Sequence, residues 1–407
     1  MAGNWYWIKE GESARLRYRG KSRNVSAKSE REVKRHLAKF VTEVDSGDFT
    51  QPTKLTFEQF ANKWLKDYAE VDLAPKTVFR YKQLLESRIF PAIGKKKLTK
   101  VKPLDLVEFY NSLRKKHKYI SIKNLGTENE TREEKEAEPL SENTIMHHHR
   151  VISAIYEKAI KWGVYKGDNP AKHVDPPKVE RRKATCYDEE DTQRLLAALD
   201  KLKPEELKYK AAVMIALMTG ARLGEIMGLE WQDIDFNNRC IEIRQASQYL
   251  PGQGTFTKDP KTDTSKRTVE VSNILMAILA QYQQHQREKD FDVEGQAPLF
   301  VQWDGKPMHP ETISHWFPKF IKRYNLPKLT FHGLRHTSAT FLISRGMDIQ
   351  TVAGRLGHAT STTTQTIYSH FLKSKDRQAA DLMEEAFTKK PEEPEQKKQA
   401  KVIEGKF

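Results

Sequence analysis

The stretch from Thr330 to His370 constrains this chain most, because it asks several polar groups to meet at the ends of short helices. It carries Thr330-Phe331-His332-Gly333-Leu334-Arg335-His336, then Leu356-Gly357-His358, then Thr366-Ile367-Tyr368-Ser369-His370, in a pattern that otherwise reads as three amphipathic helices. His332 and Arg335 stand three apart, so on a helix they share a face and can converge on one anion. A helix begun by Asp348 should end at Gly357 in a left-handed turn, which places His358 immediately after it. Tyr368 lies further on, inside a Thr-rich stretch able to cap its own helix.

Two basic outposts lie upstream. Gly220 breaks a helix expected over 205–218, so that Arg222 enters a new short helix with Ile226 and Met227 facing the core. An arginine beside a helix N-terminus sits in an anion-favouring field, although an ion pair with Glu225 is the plain structural alternative. Lys261 precedes a strand on a Gly/Pro/Thr-rich loop, Pro251 to Lys266, where Lys258 and Lys266 compete for the same role. Two arginines, a lysine, two histidines and a tyrosine suit a phosphodiester transition state, whose charge lies on non-bridging oxygens that guanidinium forks match. A carboxylate cluster would instead suggest metal-dependent cleavage.

At Thr219-Gly220-Ala221-Arg222-Leu223-Gly224-Glu225, Pro260-Lys261-Thr262, His332-x-x-Arg335, Leu356-Gly357-His358 and Tyr368, the chain resembles the tyrosine recombinases, the phage and transposon integrases. The resemblance implies a site-specific recombinase that integrates and excises a mobile element or prophage through a covalent 3′-phosphotyrosine, with no cofactor, metal or ATP. In it Tyr368 is the nucleophile, Arg222 and Arg335 hold the phosphate, His332 is the general base, Lys261 the general acid, and His358 a hydrogen-bond donor to the phosphate. It also implies double-stranded DNA at core and arm sites, a homotetramer in the synaptic complex, and an excisionase and DNA-bending host proteins as further partners.

Charge and composition agree with a polyanionic partner: 407 residues carry a formal charge of +15, with a pI near 9.4. No run of about 18 apolar residues and no signal-like start occur, so a soluble protein of the bacterial cytoplasm, associated with the nucleoid and not with a membrane, is expected. Cys186 and Cys240 lack metal-ligand spacing and read as buried thiols in a reducing compartment. Consecutive residues on a helix point about 100° apart, so His147-His148-His149 cannot chelate together. Gly20-Lys21-Ser22 resembles a phosphate-loop ending, but Arg15 stands where its glycine should be. A type IB topoisomerase and a catalytically dead DNA-binding regulator remain as competing readings.

The expected fold is multidomain α+β. Residues 1–50 read as a three-stranded sheet plus helix, an arm-type DNA-binding domain by resemblance, with strands at Asn4 to Ile8, Ala14 to Arg19 and Ser22 to Val25. A helix capped by Ser29 should follow, and Arg15, Arg17 and Arg19 should project together from one sheet face. Residues 54–170 read as an all-helical unit, a core-binding domain by resemblance, in which Lys76, Arg80, Lys82, Lys95, Lys96 and Lys97 would clamp phosphates, while 119–140 reads as a loop or partner-contact insertion. A basic linker, 171–185, carries Arg181 and Arg182 for the DNA backbone. The catalytic domain, 186–388, is expected to be mainly helical with a small antiparallel sheet formed by Ile234 to Phe236, Cys240 to Arg244 and Arg267 to Val271. A disordered tail, 389–407, should follow, beyond a C-terminal helix over about 376–387.

Overall fold

The computed structural model describes residues 3–46, 54–179, 185–258 and 266–358, with 380, 381, 383, 384 and 387 beyond them. The chain divides into two units, Met1–Arg181 with Leu250–Gly252, and Arg182–Tyr249 with Gln253–Phe407.

Alternation builds the first sheet. Strands β1 (Asn4–Lys9), β2 (Ser13–Tyr18) and β3 (Lys21–Ser26) pair antiparallel in that order. Ala14, Leu16 and Tyr18 of β2 are buried with Val33, Phe40 and Val44 of helix α1 (Glu30–Asp45), whose first turn is capped by Ser29. Arg15 and Arg17 consequently face away from α1. Arg19 departs from the expectation. It opens the tight turn between β2 and β3 with φ +44°, followed by Gly20 at +74°, and its guanidinium pairs with Asp45 of α1 at 2.8 Å. The left-handed turn takes Arg19 out of the strand alternation, so it does not join Arg15 and Arg17.

The remainder of this unit is mostly helical. It comprises α2 (Phe57–Trp64), α3 (Glu70–Asp72), α4 (Pro75–Leu84), α5 (Pro103–Leu113) and α6 (Glu142–Lys161), with π-helical turns over Leu65–Ala69 and Leu85–Gly94. Pro91 lies inside the second π segment; it lacks an N–H and crowds the preceding turn, which the wider winding relieves. Phe57, Phe60, Trp64, Leu85, Ile89, Phe109, Ile152 and Tyr156 share one core. His148 is buried with its ring edge against Phe109 and donates Nδ1–H to Thr144 O at 2.8 Å, and burial pushes its pKa down to about 4.

Two expectations fail here. The unit is not all-helical, and 119–140 is not a loop: β4 (His117–Lys123) and β5 (Thr131–Ala137) form an antiparallel hairpin. Strand β5 is nearly all charged, so it carries no apolar alternation to read. Cross-strand charge stabilises it instead, as in Lys118 with Glu134 at 2.9 Å, while Arg88 lies 4.4 Å over the Tyr119 ring.

In the second unit α7 (Glu189–Leu199) leads to α8 (Leu207–Thr219), a helix buried on almost every side. Around it lie α9 (Leu223–Met227), the sheet β10-β7-β6 from β6 (Ile234–Asp235), β7 (Cys240–Ile243) and β10 (Arg267–Glu270), and helices α10 (Asn273–Arg287), α11 (Glu311–Arg323), α12 (Phe331–Ser344) and α13 (Ile349–Leu356). A second hairpin, β8 (Ala246–Leu250) with β9 (Gly254–Lys258), occupies part of what reads as a loop in sequence. Tyr282 is buried and accepts from Gln286 at 2.7 Å, and Tyr324 packs on the core, as expected of structural tyrosines. Cys186 and Cys240 are free but only half-buried. No helix among the described residues is long and apolar enough to cross a membrane. Of the expected C-terminal helix, the described positions, such as Asp381 and Phe387, are helical.

Phe60 is fully buried. Its replacement by Ala should cost about 3–5 kcal/mol, read as a lower midpoint in urea unfolding followed by far-UV circular dichroism.

Candidate active site

The site forms where two helices end. Gly220 closes α8 at φ +66° and Gly357 closes α13 at φ +68°, left-handed positions that favour glycine. A side chain on Gly220 would run into Leu356, so the two helix ends sit directly against each other. The last carbonyls of a helix lack intrahelical donors and carry the negative end of its dipole.

Three arginines from three different elements occupy those carbonyls. Arg267, opening β10, donates Nε to Arg355 O at 2.7 Å. Arg335, on α12 and only 2% exposed, donates Nη1 to Leu356 O at 2.7 Å and to Gly220 O at 2.6 Å. Arg222, the residue capping α9, donates Nη2 to Gly357 O at 3.0 Å. Glu225 binds two of the three: Oε1 accepts from Arg222 Nη1 at 2.7 Å, and Oε2 from Arg267 Nη2 at 2.9 Å. Burial alone would raise the Glu225 carboxyl, but Arg267 and Arg222 outweigh it and hold it below the ordinary range. The pairing of Arg222 with Glu225, read from the sequence as an alternative to an anion site, is therefore present together with the convergence on the site.

Three imidazoles surround this cluster. His332 stands exposed in the first turn of α12, whose N-cap Thr330 accepts from Gly333 N. Partial desolvation, then Arg335 and Arg222, lower its pKa. His336, one turn on, meets His332 edge to face with ring centroids 4.9 Å apart. His358 follows the Gly357 turn, its backbone N bound to Ala353 O at 3.0 Å. Burial pushes both His336 and His358 down to about 4, helped by neighbouring positive groups. At neutral pH all three rings are uncharged, so one can take a proton and another can donate a hydrogen bond to an anion.

Sequence reasoning placed Arg222, His332, Arg335 and His358 together, and the structure does so. Arg267 and His336 also reach the cluster: His336 lies in the same sequence motif as His332, whereas the sequence marks Arg267 only as the start of a strand. Lys261, Tyr368, Arg181 and Arg182 lie outside the described residues. In the first unit Lys76, Arg80, Lys95 and Lys97 are exposed, whereas Lys82 is paired with Glu70 at 2.6 Å and Lys96 with Asp105 at 2.7 Å. Arg15 donates to Ser22 Oγ and Arg17 to Tyr6 Oη, each at 3.3 Å, on one outward sheet face. Among the described residues no group of three His, Cys, Asp or Glu side chains could hold a metal ion.

Comparison with known proteins decides the family. Residues 186–375 match the phage integrase family, and residues 56–114 match the phage integrase N-terminal SAM-like domain. The chain belongs to the phage integrase family of tyrosine recombinases. This recombinase is 27% identical over 237 residues to the ICEBs1 integrase of Bacillus subtilis, an alignment spanning 58% of this chain and 63% of that protein. It is 24% identical to a XerC-like tyrosine recombinase of Caldanaerobacter subterraneus, over 88% of this chain and 90% of that one. Its fold is shared with the Tn1549 transposon integrase, solved with transposon right end DNA, at a TM-score of 0.62 and 23% identity, over 80% of this chain and 100% of that chain. A lambda integrase tetramer bound to a Holliday junction shares it at a TM-score of 0.54 and 15% identity, over 88% of this chain and 96% of that chain.

The histidines give a stability test. Because His336 and His358 are pushed to about 4, the unfolded chain, with imidazoles near the ordinary 6.5, binds more protons across that interval. Their contribution is complete above about pH 6.5 and is lost as pH falls toward about 4. Urea midpoints measured across this window should fall with pH, and the double variant His336→Gln, His358→Gln should show a flatter slope.

Proposed function

We propose that this family member is a site-specific DNA integrase that integrates and excises a mobile element or prophage. The convergence of Arg222, Arg335, His332 and His358 on the joined ends of α8 and α13 carries the reading: two fixed cations and two neutral imidazoles suit a phosphodiester and lack only a nucleophile and an acid. Tyr368 supplies the nucleophile and Lys261 the acid. The Tyr368 oxygen attacks phosphorus, His332 takes the phenol proton, and the bond to the 5′-oxygen breaks as Lys261 protonates it. A 3′-phosphotyrosine and a free 5′-hydroxyl result. His358 donates to the phosphate while Arg222 and Arg335 hold its non-bridging oxygens. The ester conserves the bond energy, so a second 5′-hydroxyl can displace Tyr368 without ATP, and neither metal nor nucleotide enters the balance.

The division of labour follows the expected boundaries. Residues 1–50 would read arm sites through the sheet face bearing Arg15 and Arg17. Residues 54–170 would grip the core site, with Lys76, Arg80, Lys95 and Lys97 the cations best placed to meet phosphates, and 171–185 would follow the backbone through Arg181 and Arg182. Residues 186–388 would cut and rejoin, and 389–407 would form a tail. Exchange between two duplexes needs four such sites, hence a homotetramer on double-stranded DNA, with an excisionase and DNA-bending proteins setting direction.

The test is plasmid DNA carrying the sequence flanking the gene, incubated with protein in EDTA and quenched with detergent. Wild type should give a covalent protein–DNA adduct and recombinant products, and Tyr368→Phe neither. Arg222→Lys and Arg335→Lys should slow adduct formation on the order of a hundredfold. Adduct with relaxation but no recombinants would favour a topoisomerase, and salt-sensitive binding without adduct a regulator.

A further inference from the structure

Arg267 is an arginine on the inward side of a strand. It stands two residues before buried Val269 in β10, and its side chain is 7% exposed. A charge so placed is costly unless its donors are satisfied. Its guanidinium joins parts of the site that are far apart in sequence. Nε binds Arg355 O at 2.7 Å, and Nη2 binds Glu225 Oε2 at 2.9 Å. The other oxygen of Glu225 holds Arg222 Nη1 at 2.7 Å, and Arg222 Nη2 returns to Gly357 O at 3.0 Å. Residues 355 to 357 of the backbone close the circuit. Two guanidinium groups, one carboxylate and two carbonyls thus form a ring that fixes the fork of Arg222 relative to the turn bearing His358. Gly357 is pressed onto the same group: a Cβ built there would lie 2.5 Å from Arg267 Nη1. Arg355 ties the far side of that turn down, donating to Met218 O at 2.7 Å and Glu270 O at 2.9 Å.

We propose that Arg267 is a positioning residue for DNA cleavage, setting the distance and angle between Arg222 and His358 through Glu225 and the α13 terminus without touching DNA itself. The inference rests on the recombinase reading above. Its chemical basis is the fork: Nε and Nη2 serve two acceptors at once, a geometry that a lysine ammonium on a flexible stem does not reproduce, although it keeps the charge. Losing the ring lets Arg222 and the His358 turn drift apart, and misplacement by about 1 Å is enough to cost a hundredfold in rate.

The experiment measures single-turnover adduct formation at saturating DNA, beside the dissociation constant and melting temperature, for wild type, Arg267→Lys, Glu225→Gln, Arg222→Lys and Arg222→Lys with Arg267→Lys. Glu225→Gln cuts the ring at its opposite joint while keeping the side-chain shape, so it serves if Arg267→Lys folds poorly. Expected is cleavage about tenfold to a hundredfold slower in Arg267→Lys and Glu225→Gln, with DNA affinity within about twofold of wild type. The double variant should be no more than about threefold slower than Arg222→Lys alone, because both changes disable one fork. Unchanged cleavage in Arg267→Lys and Glu225→Gln, affinity loss equal to the rate loss, or multiplicative effects in the double variant would each overturn the assignment. If wild type itself forms no adduct, the recombinase reading fails, and this proposal fails with it.

Discussion

The capture of the α13 C-terminus by arginines organises the second unit. A helix end offers unsatisfied carbonyls and partial negative charge. Here the carbonyls of residues 355, 356 and 357 take Arg267, Arg335 and Arg222, which arrive from β10, α12 and the N-cap of α9. Guanidinium groups gathered so closely would repel one another. The helix terminus and Glu225 hold them together, and the left-handed glycines at 220 and 357 let the two helix ends approach closely enough to share Arg335.

That arrangement also sets the electrostatics. Glu225 stays ionised because it is the acceptor for two guanidiniums, so its charge is used within the frame. The imidazoles of His332, His336 and His358 lose hydration and also lie beside positive groups, which disfavours their charged form. A rigid cationic centre ringed by neutral donors and acceptors needs little reorganisation to meet an oxyanion, and that preorganisation is the largest part of what such sites contribute.

The first unit shows how far local signals carry. The alternation of Ala14, Leu16 and Tyr18 with Arg15 and Arg17 was legible, because burial against α1 requires period two. Arg19 continued the pattern in sequence but not in space, since the turn residues take left-handed dihedrals and swing it to Asp45. The β4–β5 hairpin was invisible for a related reason. Its second strand has a cross-strand partner for its charges rather than an apolar face, and partners across a sheet cannot be seen from one strand.

By itself the sequence determined the helix stops at Gly220 and Gly357, the shared face of His332 and Arg335, the buried faces of the long helices and the basic character of the surface, because each depends on dihedral limits, period or charge within a few residues. Only tertiary structure decided that Glu225 joins Arg222 to Arg267, that Arg267 rather than a neighbouring cation enters the site, and that three successive carbonyls share three arginines. Apart from Arg222 with Glu225, those contacts pair residues 21 to 135 positions apart, and hydrogen bonding between distant groups is set by packing geometry, to which local sequence pattern is blind.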